Sequence, residues 1–317
     1  MGRIKKQDLE PKKMKILVVG GCGFIGSNLV RKLARDKKNS VWVYDNLYLG
    51  TESYLPKNII NFASPPNFYP TFDIIYHLGN YSSAPMYELN TAETAERINQ
   101  TISDFTFWID KAARDKSKFI YASSSSINGP PTYYSLTRIT FEEIAKTYYS
   151  EKGFKSVGLR FFSVFGPREE HKDNYANLIS QAIWANLAGS AFTIYGDGKQ
   201  KRDFIYIDDV VNALISAIDV TEKMVADVKD NMDWGYYRFD VGTGTNYSLN
   251  EILSKIHDAS GKPIKTKKIA NPIKNYVECT LATPSLFLPG WTPKTTINKG
   301  IANTIKYYRR IWQKWKN

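Results

Sequence analysis

The segment from Lys15 to Asp45 constrains the fold of this 317-residue chain more than any other part of the sequence. It opens with a short apolar, β-branched run that ends at Val19, and an amphipathic run over Ser27–Arg35 closes its first half. Between them lies a glycine-rich turn with the sequence Gly20-Gly21-Cys22-Gly23-Phe24-Ile25-Gly26. Strand, glycine turn and helix in this order predict a mononucleotide-binding unit, with a pyrophosphate at the helix N-terminus.

A carboxylate follows the second predicted strand, Val41–Tyr44. Asp45 comes directly after that strand, about 20 residues beyond the glycine turn. A carboxylate at this place accepts hydrogen bonds from the hydroxyls of an adenosine ribose and repels a 2′-phosphate. We therefore predict NAD rather than NADP as the cofactor, with contacts from Gly20, Gly23, Phe24, Ile25, Gly26 and Asp45.

Strands and helices continue to alternate after Asp45. The predicted elements are strands over Asp73–Leu78, Lys118–Ala122 and Ser156–Arg160, and helices over Asn90–Arg114 and Thr137–Lys152. Repeated strand and helix units predict an α/β fold with a doubly wound, Rossmann-like parallel sheet. The segment from Tyr48 to Thr71 shows no clear periodicity, and its structure is left open.

The pattern becomes irregular beyond Gly166, and we expect a second domain there. The predicted regions are a basic tail over residues 1–13, an NAD-binding domain over 14–166 and a smaller C-terminal α/β substrate domain over 167–317. Two later segments, Arg202–Ile207 and Tyr237–Val241, also have the pattern of strands. Some of these later strands are candidates to rejoin the first sheet.

Composition and charge favour an ordinary globular protein. The chain is 43% hydrophobic and carries 43 Lys and Arg against 31 Asp and Glu, a formal charge of +12. Many of the basic residues lie at Arg3–Lys15 and Lys306–Lys316, where a solvated surface is more typical than a site that reads nucleic acid. We expect no specific nucleic-acid binding. Because no apolar run is long enough for a bilayer and Met1–Lys15 has no apolar signal core, we expect no membrane span and a cytoplasmic location.

Cysteines and histidines are few. Cys22 and Cys279 do not form a disulfide framework and suit a reducing compartment. The three histidines are far apart and lack metal-ligand spacing. We therefore expect no metal site.

Hydroxyl groups follow the predicted strand Lys118–Ala122. This run is Ser123-Ser124-Ser125-Ser126. Ligands of open α/β sheets bind outside the carboxyl ends of the strands, so these hydroxyls are expected to face the cofactor. Tyr134 and Arg138 follow four residues apart, a spacing that places both on one helical face. Because a phenol acts as a base near neutral pH only beside a positive charge, Tyr134 with Arg138 is a candidate catalytic base.

Further motifs follow one another along nearly the whole chain. They are Asp45-Asn46-Leu47, His77-Leu78-Gly79, Ser123–Ser126, Arg160–Arg168, Tyr195–Gly198, Arg202–Val210 and Gly290–Pro293. With the glycine turn, this series resembles the extended short-chain dehydrogenase/reductase family, specifically its NAD-dependent nucleotide-sugar epimerases and dehydratases. The segment His77–Tyr87 is most similar to an archaeal-type branch of epimerase-like proteins.

The resemblance implies a catalytic role for three side chains. Ser124 would hydrogen-bond the reacting sugar hydroxyl, Tyr134 would remove its proton, and Arg138 would hold the nicotinamide ribose. The family usually has Lys at position 138, and the planar fork of Arg reaches ribose hydroxyls with a different geometry. Further NAD contacts are implied for Asn46, Leu47, Leu78, Gly79 and Asn99.

The implied substrate is a nucleotide-diphosphate sugar, with a UDP-sugar favoured. Arg202 would pair with phosphate oxygens, and Tyr195 would offer a flat face to the base. Arg168 would face a sugar carboxylate if the substrate is a uronic acid, and the small Thr280 would admit an N-acetyl group. The implied substrate-binding residues are Ser125, Ser126, Ser163, Arg168, Lys172, Asn177, Leu178, Tyr195, Arg202 and Thr280.

The predicted reaction is inversion of the sugar C4 through a transient 4-keto intermediate. Related dehydratases and decarboxylases carry acidic residues just after the active-site hydroxyl, where this chain has Ser125 and Ser126. Three alternatives stay open: a heptose epimerase in which Lys172 exchanges protons with the sugar, a nucleotide-sugar dehydratase, and an NAD-binding scaffold without turnover. The resemblance also implies a homodimer that pairs through Asn90–Arg114 and Thr137–Lys152.

Overall fold

A seven-stranded parallel sheet forms the centre of the molecule. The computed structural model describes residues 13–62, 70–220, 236–271 and 277–316, without the side chains of 61–62 and 313–316. The strands run in the order β10-β6-β5-β4-β1-β2-β3. Their bounds are β1 Met14–Val19, β2 Asn39–Tyr44, β3 Ile60–Phe62, β4 Ile74–His77, β5 Lys118–Ser124, β6 Ser156–Phe161 and β10 Tyr236–Val241. The doubly wound parallel sheet predicted from the alternation is confirmed.

Helices cover both faces of this sheet. The helices within the described ranges are α1 Phe24–Leu33, α2 Thr91–Asp115, α3 Tyr133–Lys152, α4 Leu178–Ala188, α5 Ile207–Ser216, α6 Leu249–Ser260 and α7 Ile297–Lys316. Alternate residues of β1 divide between the two faces: Ile16 and Val18 pack in the core with α1, whereas Leu17 and Val19 pack with α2 and α3. A strand buried on both faces explains why its sequence is a continuous apolar run.

The C-terminal part of the chain adds two small sheets and returns once to the large one. The additional strands are β7 Ser163–Phe165, β8 Ala191–Tyr195, β9 Lys201–Tyr206, β11 Asn246–Ser248 and β12 Lys265–Ile269. They form a sheet β11-β9-β7 and a separate pair β12-β8. The predicted strands Arg202–Ile207 and Tyr237–Val241 are confirmed as β9 and β10, and β10 completes the central sheet beside β6. The region predicted as a substrate domain therefore shares the sheet of the NAD-binding region.

Local hydrogen bonds set the ends of α3. The structure begins this helix at Tyr133, four residues before the predicted start at Thr137, because Thr132 and Ser135 form a reciprocal capping box. The helix ends at Gly153, whose left-handed backbone (φ 63°) is easily adopted only without a side chain. The early start places Tyr134 in the first turn, next to the end of β5. None of the described helices combines the length and the apolar character needed to cross a bilayer.

Candidate active site

The glycine turn joins β1 to α1 through backbone contacts too close for larger residues. A Cβ atom on Gly20 would lie 2.4 Å from the backbone of Gly79, and one on Gly26 would lie 2.0 Å from the carbonyl oxygen of Gly20. At Gly23 the nearest protein atom to such a Cβ is 3.4 Å away. Gly20 and Gly26 therefore allow the chain to pack against itself, whereas Gly23 keeps the space above the turn open.

The N-terminus of α1 is suited to bind an anion. The helix begins at Phe24, and its N-cap residue Gly23 has no side chain to accept hydrogen bonds from the first turn. Free N–H groups at a helix N-terminus, together with the helix dipole, favour a phosphate. This arrangement fits the pyrophosphate of a dinucleotide.

A cleft of about 350 Å³ opens at the carboxyl ends of β1, β2 and β4. The predicted cofactor residues that line it are Gly20, Gly23, Phe24, Ile25, Gly26, Asp45, Asn46, Leu78 and Gly79. Sequence reasoning missed others in its walls, among them Tyr48, Asn80, Tyr81, Gln100, Thr101 and Asp104. The cleft therefore lies where dinucleotides bind in sheets of this type.

Leu47 and Asn99, and with them Tyr134 and Arg138, were predicted to contact NAD but are not among the residues that line this cleft. Asn99 lies on the exposed face of α2, and Gln100, Thr101 and Asp104 of the same helix line the cleft in its place. Successive residues of a helix differ by about 100° in direction, so a shift of one residue changes the face completely. Leu47 has a left-handed backbone (φ 59°), and its N–H donates to the Asp45 carboxylate.

Backbone amides hold the Asp45 carboxylate in place. The side chain is 7% exposed and accepts hydrogen bonds from the N–H groups of Cys22 and Leu47, each at 2.8 Å. Burial raises the pKa of the Asp45 carboxyl, and these hydrogen bonds counteract the increase. Each carboxylate oxygen has remaining lone pairs, so the group can accept the ribose hydroxyls of NAD.

Replacing Asp45 with Asn should weaken NAD binding about tenfold and reduce the preference for NAD over NADP. The amide removes the charge that repels a 2′-phosphate but keeps nearly the same size. Titration of the variant and the unmodified chain with both dinucleotides measures the change. An unchanged ratio of the two affinities would show that Asp45 does not select the cofactor.

The structure brings the three predicted catalytic residues to the same end of the sheet. Ser124 is the last residue of β5, and its hydroxyl accepts a hydrogen bond of 3.1 Å from the N–H of Ser126. A short 3-10 turn follows, and α3 packs against it with Tyr134 in its first turn. The guanidinium of Arg138 lies 4.7 Å from the centre of the Tyr134 ring. The predicted pairing of a phenol with a fixed cation is thus present.

Arg138 is anchored to the wall of the cofactor cleft. Its side chain is 2% exposed and donates hydrogen bonds to the Asn80 amide oxygen and, at 2.6 Å, to the Tyr81 carbonyl oxygen. Both partners lie in the loop after β4 that lines the cleft. These acceptors are neutral, and no carboxylate of the described residues contacts this guanidinium. Among the described residues, no acidic side chain therefore neutralises this guanidinium, which lies over the Tyr134 ring.

A buried ion pair ties α3 to the ends of β5 and β6. The Glu142 carboxylate, which lies two turns beyond Tyr134, accepts hydrogen bonds from the Arg160 guanidinium at 2.6 and 2.9 Å and from the Ser123 hydroxyl at 2.7 Å. Glu142 is 4% exposed. A bidentate pair of this kind fixes both direction and distance. It holds the helix that carries Tyr134 against the strand that ends in Ser124, a positioning role that sequence reasoning missed.

The predicted substrate residues are distributed over several elements. Ser125 and Ser126 form the turn after β5, Ser163 begins β7, and Asn177 caps α4, which starts at Leu178. Arg202 and Thr280 lie close together, because the N–H of Asp203 donates to the Thr280 hydroxyl and the Arg202 guanidinium reaches the Glu278 carbonyl oxygen. Tyr195 is 45% exposed at the end of β8, in the separate two-stranded sheet. No contact joins Tyr195 to the cleft within the described chain.

The segment after Gly166 packs against α1. Arg168, with φ 72°, donates a hydrogen bond to the Asn28 amide oxygen and lies 5.9 Å from the Tyr307 ring centre. Burial lowers the pKa of its guanidinium. Lys172 lies farther along this segment and lines the cofactor cleft. Arg168 is thus held by neighbouring protein groups, whereas Lys172 reaches a ligand site.

Comparison with known proteins agrees with this geometry. The model of the NAD dependent epimerase/dehydratase family matches residues 16–229. The chain belongs to this family. NAD is accordingly its cofactor, which confirms the prediction made from Asp45.

Relatives match over nearly the full length of the chain. An uncharacterized UDP-glucose epimerase YtcB from Bacillus subtilis is 27% identical over 95% of this chain and 99% of its own. A UDP-N-acetyl-alpha-D-glucosaminuronate decarboxylase from Bacillus cytotoxicus is 28% identical over 94% and 99%. The structure of a UDP-N-acetylglucosamine 4-epimerase from Methanobrevibacter ruminantium M1, in complex with UDP-N-acetylmuramic acid, superimposes with a TM-score of 0.82 at 25% identity, covering 95% of this chain and 99% of that one. The chain is thus similar to both epimerases and decarboxylases of nucleotide sugars.

Proposed function

We propose that this protein is an NAD-dependent epimerase that inverts C4 of a nucleotide-diphosphate sugar. The observation that carries the proposal is the Arg138 guanidinium 4.7 Å from the Tyr134 ring, in a helix that starts beside the end of β5. Tyr134 would take the proton from the sugar hydroxyl, and the buried Arg138 guanidinium holds a positive charge beside its ring. Ser124 provides a second hydrogen-bonding oxygen at the same strand end.

The residues after Ser124 favour epimerisation over dehydration. When bound, NAD would supply reversible hydride transfer at C4, with no net change in the cofactor. Elimination of a hydroxyl would also need an acid beside the reacting carbon to protonate the leaving group. Ser125 and Ser126 stand at the two positions after Ser124 and offer hydroxyls only. Tyr134 and Ser124 then provide the proton transfer that a C4 inversion needs.

UDP is the favoured nucleotide of the substrate. The relatives and the solved structure named above carry UDP-sugars in their names or complexes, and their identity to this chain is 25–28%. Arg202 and Thr280 lie side by side, so a cation for the diphosphate and a small residue for the sugar come from adjacent positions. Asn177, Leu178, Ser163 and Tyr195 stay predictions for the nucleotide.

Incubation of the purified chain with UDP-sugars tests the proposed reaction. We expect NAD to remain bound through purification and UDP-glucose and UDP-galactose, or their N-acetyl or uronic acid forms, to interconvert when followed by NMR. Formation of a 4-keto-6-deoxy sugar would identify a dehydratase, and release of CO₂ from UDP-glucuronic acid a decarboxylase. Conversion of ADP-heptose alone would favour the heptose alternative. Bound NAD without turnover of any of these would identify a scaffold.

We also propose a homodimer formed through α2 and α3. Large apolar side chains are exposed on these two helices: Phe107 is 42% exposed on α2, and Tyr133, Leu136 and Ile139 are 43–55% exposed on α3. The spacing of the α3 residues places them on one face of that helix. An exposed apolar face of this kind is typical of a protein interface.

Replacing Leu136 with Glu should convert the dimer to a monomer. A charge in the middle of an apolar interface loses its water shell without gaining a partner. Sedimentation velocity measures the change, and Ser254→Glu, at an exposed position of α6, is the control. A dimer that survives Leu136→Glu unchanged would place the interface elsewhere.

A further inference from the structure

Lys172 lines the cofactor cleft together with the first turn of α1, and we propose that it binds the pyrophosphate of NAD. Its ammonium group lies 5.8 Å from the centre of the Phe24 ring, and Phe24 is the first residue of α1. The lysine comes from the segment after β7, far from the glycine turn in sequence. The proposal gives this residue a cofactor role in place of proton exchange with the sugar.

The charge of the cleft supports the assignment. Among the described residues that line it, Lys172 is the only cation, whereas Asp45 and Asp104 are both carboxylates. A diphosphate brings two negative charges into this site. Backbone N–H groups and a helix dipole supply only partial positive charge, so an ammonium near the turn adds charge-assisted hydrogen bonds to the phosphates even while it also contacts the Glu169 carboxylate. Lys172 meets this need.

The surroundings of Lys172 orient it toward the cleft. Its ammonium lies 3.4 Å from a carboxylate oxygen of Glu169, and its side chain is only 17% exposed. Glu169 is fully buried and accepts shorter hydrogen bonds, each 2.7 Å, from the N–H of Asn177 and the hydroxyl of Ser180. An ammonium has three donors, and the contact with Glu169 uses one of them. The other protons of Lys172 remain available to phosphate oxygens.

Glu169 also connects this lysine to the start of α4. The same carboxylate contacts Lys172 and holds Asn177 and Ser180 at the N-terminus of that helix. Because Glu169 is anchored at one end, the lysine is held at a fixed distance from the cleft with little loss of side-chain entropy on binding. A preoriented cation contributes more to affinity than a flexible surface lysine.

Nucleotide fragments separate this role from the alternatives. The inference rests on NAD binding by the family and is independent of which sugar reaction the enzyme performs. We suggest full-length Lys172→Met and Lys172→Arg variants, freed of bound nucleotide and titrated calorimetrically with ADP-ribose, AMP and adenosine. Lys172→Met should bind ADP-ribose about 10- to 100-fold more weakly, because a hydrogen bond to a charged group is lost. Its affinity for adenosine should stay within about twofold, and Lys172→Arg should recover most of the loss.

Several outcomes would overturn the assignment. An equal loss of affinity for adenosine and ADP-ribose would mean that Lys172 only stabilises the fold. An unchanged affinity for ADP-ribose would exclude Lys172 from the pyrophosphate site. Because Lys172→Met leaves the buried Glu169 without its cation, the double variant Glu169→Gln/Lys172→Met provides the same measurement if the single variant fails to fold. None of these titrations contains a UDP-sugar, so failure of the proposed epimerase reaction gives a separate result.

Discussion

Replacing Tyr134 with Phe should lower the rate of UDP-sugar interconversion by about a thousandfold or more. The substitution removes one oxygen and leaves the ring, which keeps its contact with the Arg138 guanidinium at 4.7 Å. General base catalysis contributes about 10²- to 10⁴-fold, and the contacts described for the Tyr134 ring are with the Arg138 guanidinium and the Tyr87 ring, neither of which is a base that could replace the phenol. Turnover measured by NMR at saturating substrate gives the effect on the chemical step.

The neighbouring tyrosine supplies a matched control. Tyr133 is 55% exposed in the same helical turn, so Tyr133→Phe removes an identical atom outside the catalytic site and keeps the ring that belongs to the proposed dimer face. We expect turnover by Tyr133→Phe to equal that of the unmodified chain, and NAD occupancy to be the same in both variants. Turnover by Tyr134→Phe equal to that of the unmodified chain would exclude Tyr134 as the base.

Alanine substitutions at Gly23 and Gly26 should have large but different effects. At Gly26 the new Cβ atom would lie 2.0 Å from the Gly20 carbonyl oxygen and 2.8 Å from the Gly21 Cα atom, and backbone atoms cannot move aside. The variant should unfold at least about 3 kcal/mol more easily, at the upper end of the cost of overpacking, and should bind no NAD. Chemical denaturation in the absence of NAD measures the stability.

Gly23→Ala should keep the fold and lose the cofactor. Gly23 has a φ of −75°, which alanine adopts readily, and the nearest protein atom to its Cβ would be 3.4 Å away. The methyl group would instead occupy space where a pyrophosphate approaches the turn, so NAD affinity should fall by about 100-fold while stability changes by less than about 1 kcal/mol. Similar losses of stability in both variants would show that the space above Gly23 belongs to protein packing and not to a ligand.

Many residues that line the cleft could be predicted because their signals are local in sequence. The glycine turn has no space for side chains at Gly20 and Gly26, and this need is visible in the sequence. Asp45 follows β2, which lies beside β1 in a parallel unit of this kind. The sequence could not predict which residues of α2 line the cleft. Asn99 and Gln100 are neighbours in sequence, and only the docking of the helix on the sheet decides which of them faces the cleft.

Helix α3 was likewise predictable in part: its sequence predicted a shared face but did not predict where the helix begins. The spacing of Tyr134 and Arg138 predicted a shared face, but the start of α3 at Tyr133 depends on the capping box between Thr132 and Ser135, which the apolar periodicity does not reveal. The Glu142 carboxylate of α3 accepts hydrogen bonds from Arg160 of β6 and Ser123 of β5, and so connects three elements that are separate in the chain. Such contacts have no periodic signature.

The amino-acid sequence alone determined the class of the fold, the cofactor and the identity of the candidate base, because glycine turns, strand patterns and i, i+4 pairs are short-range properties of the chain. Tertiary structure decided which side chains share the cleft and how each is held. It placed Lys172 in the wall of the cleft rather than on a solvated loop, and it joined β10 to the central sheet. These arrangements depend on packing between residues far apart in sequence, where burial and charge neutralisation act only once the chain has folded.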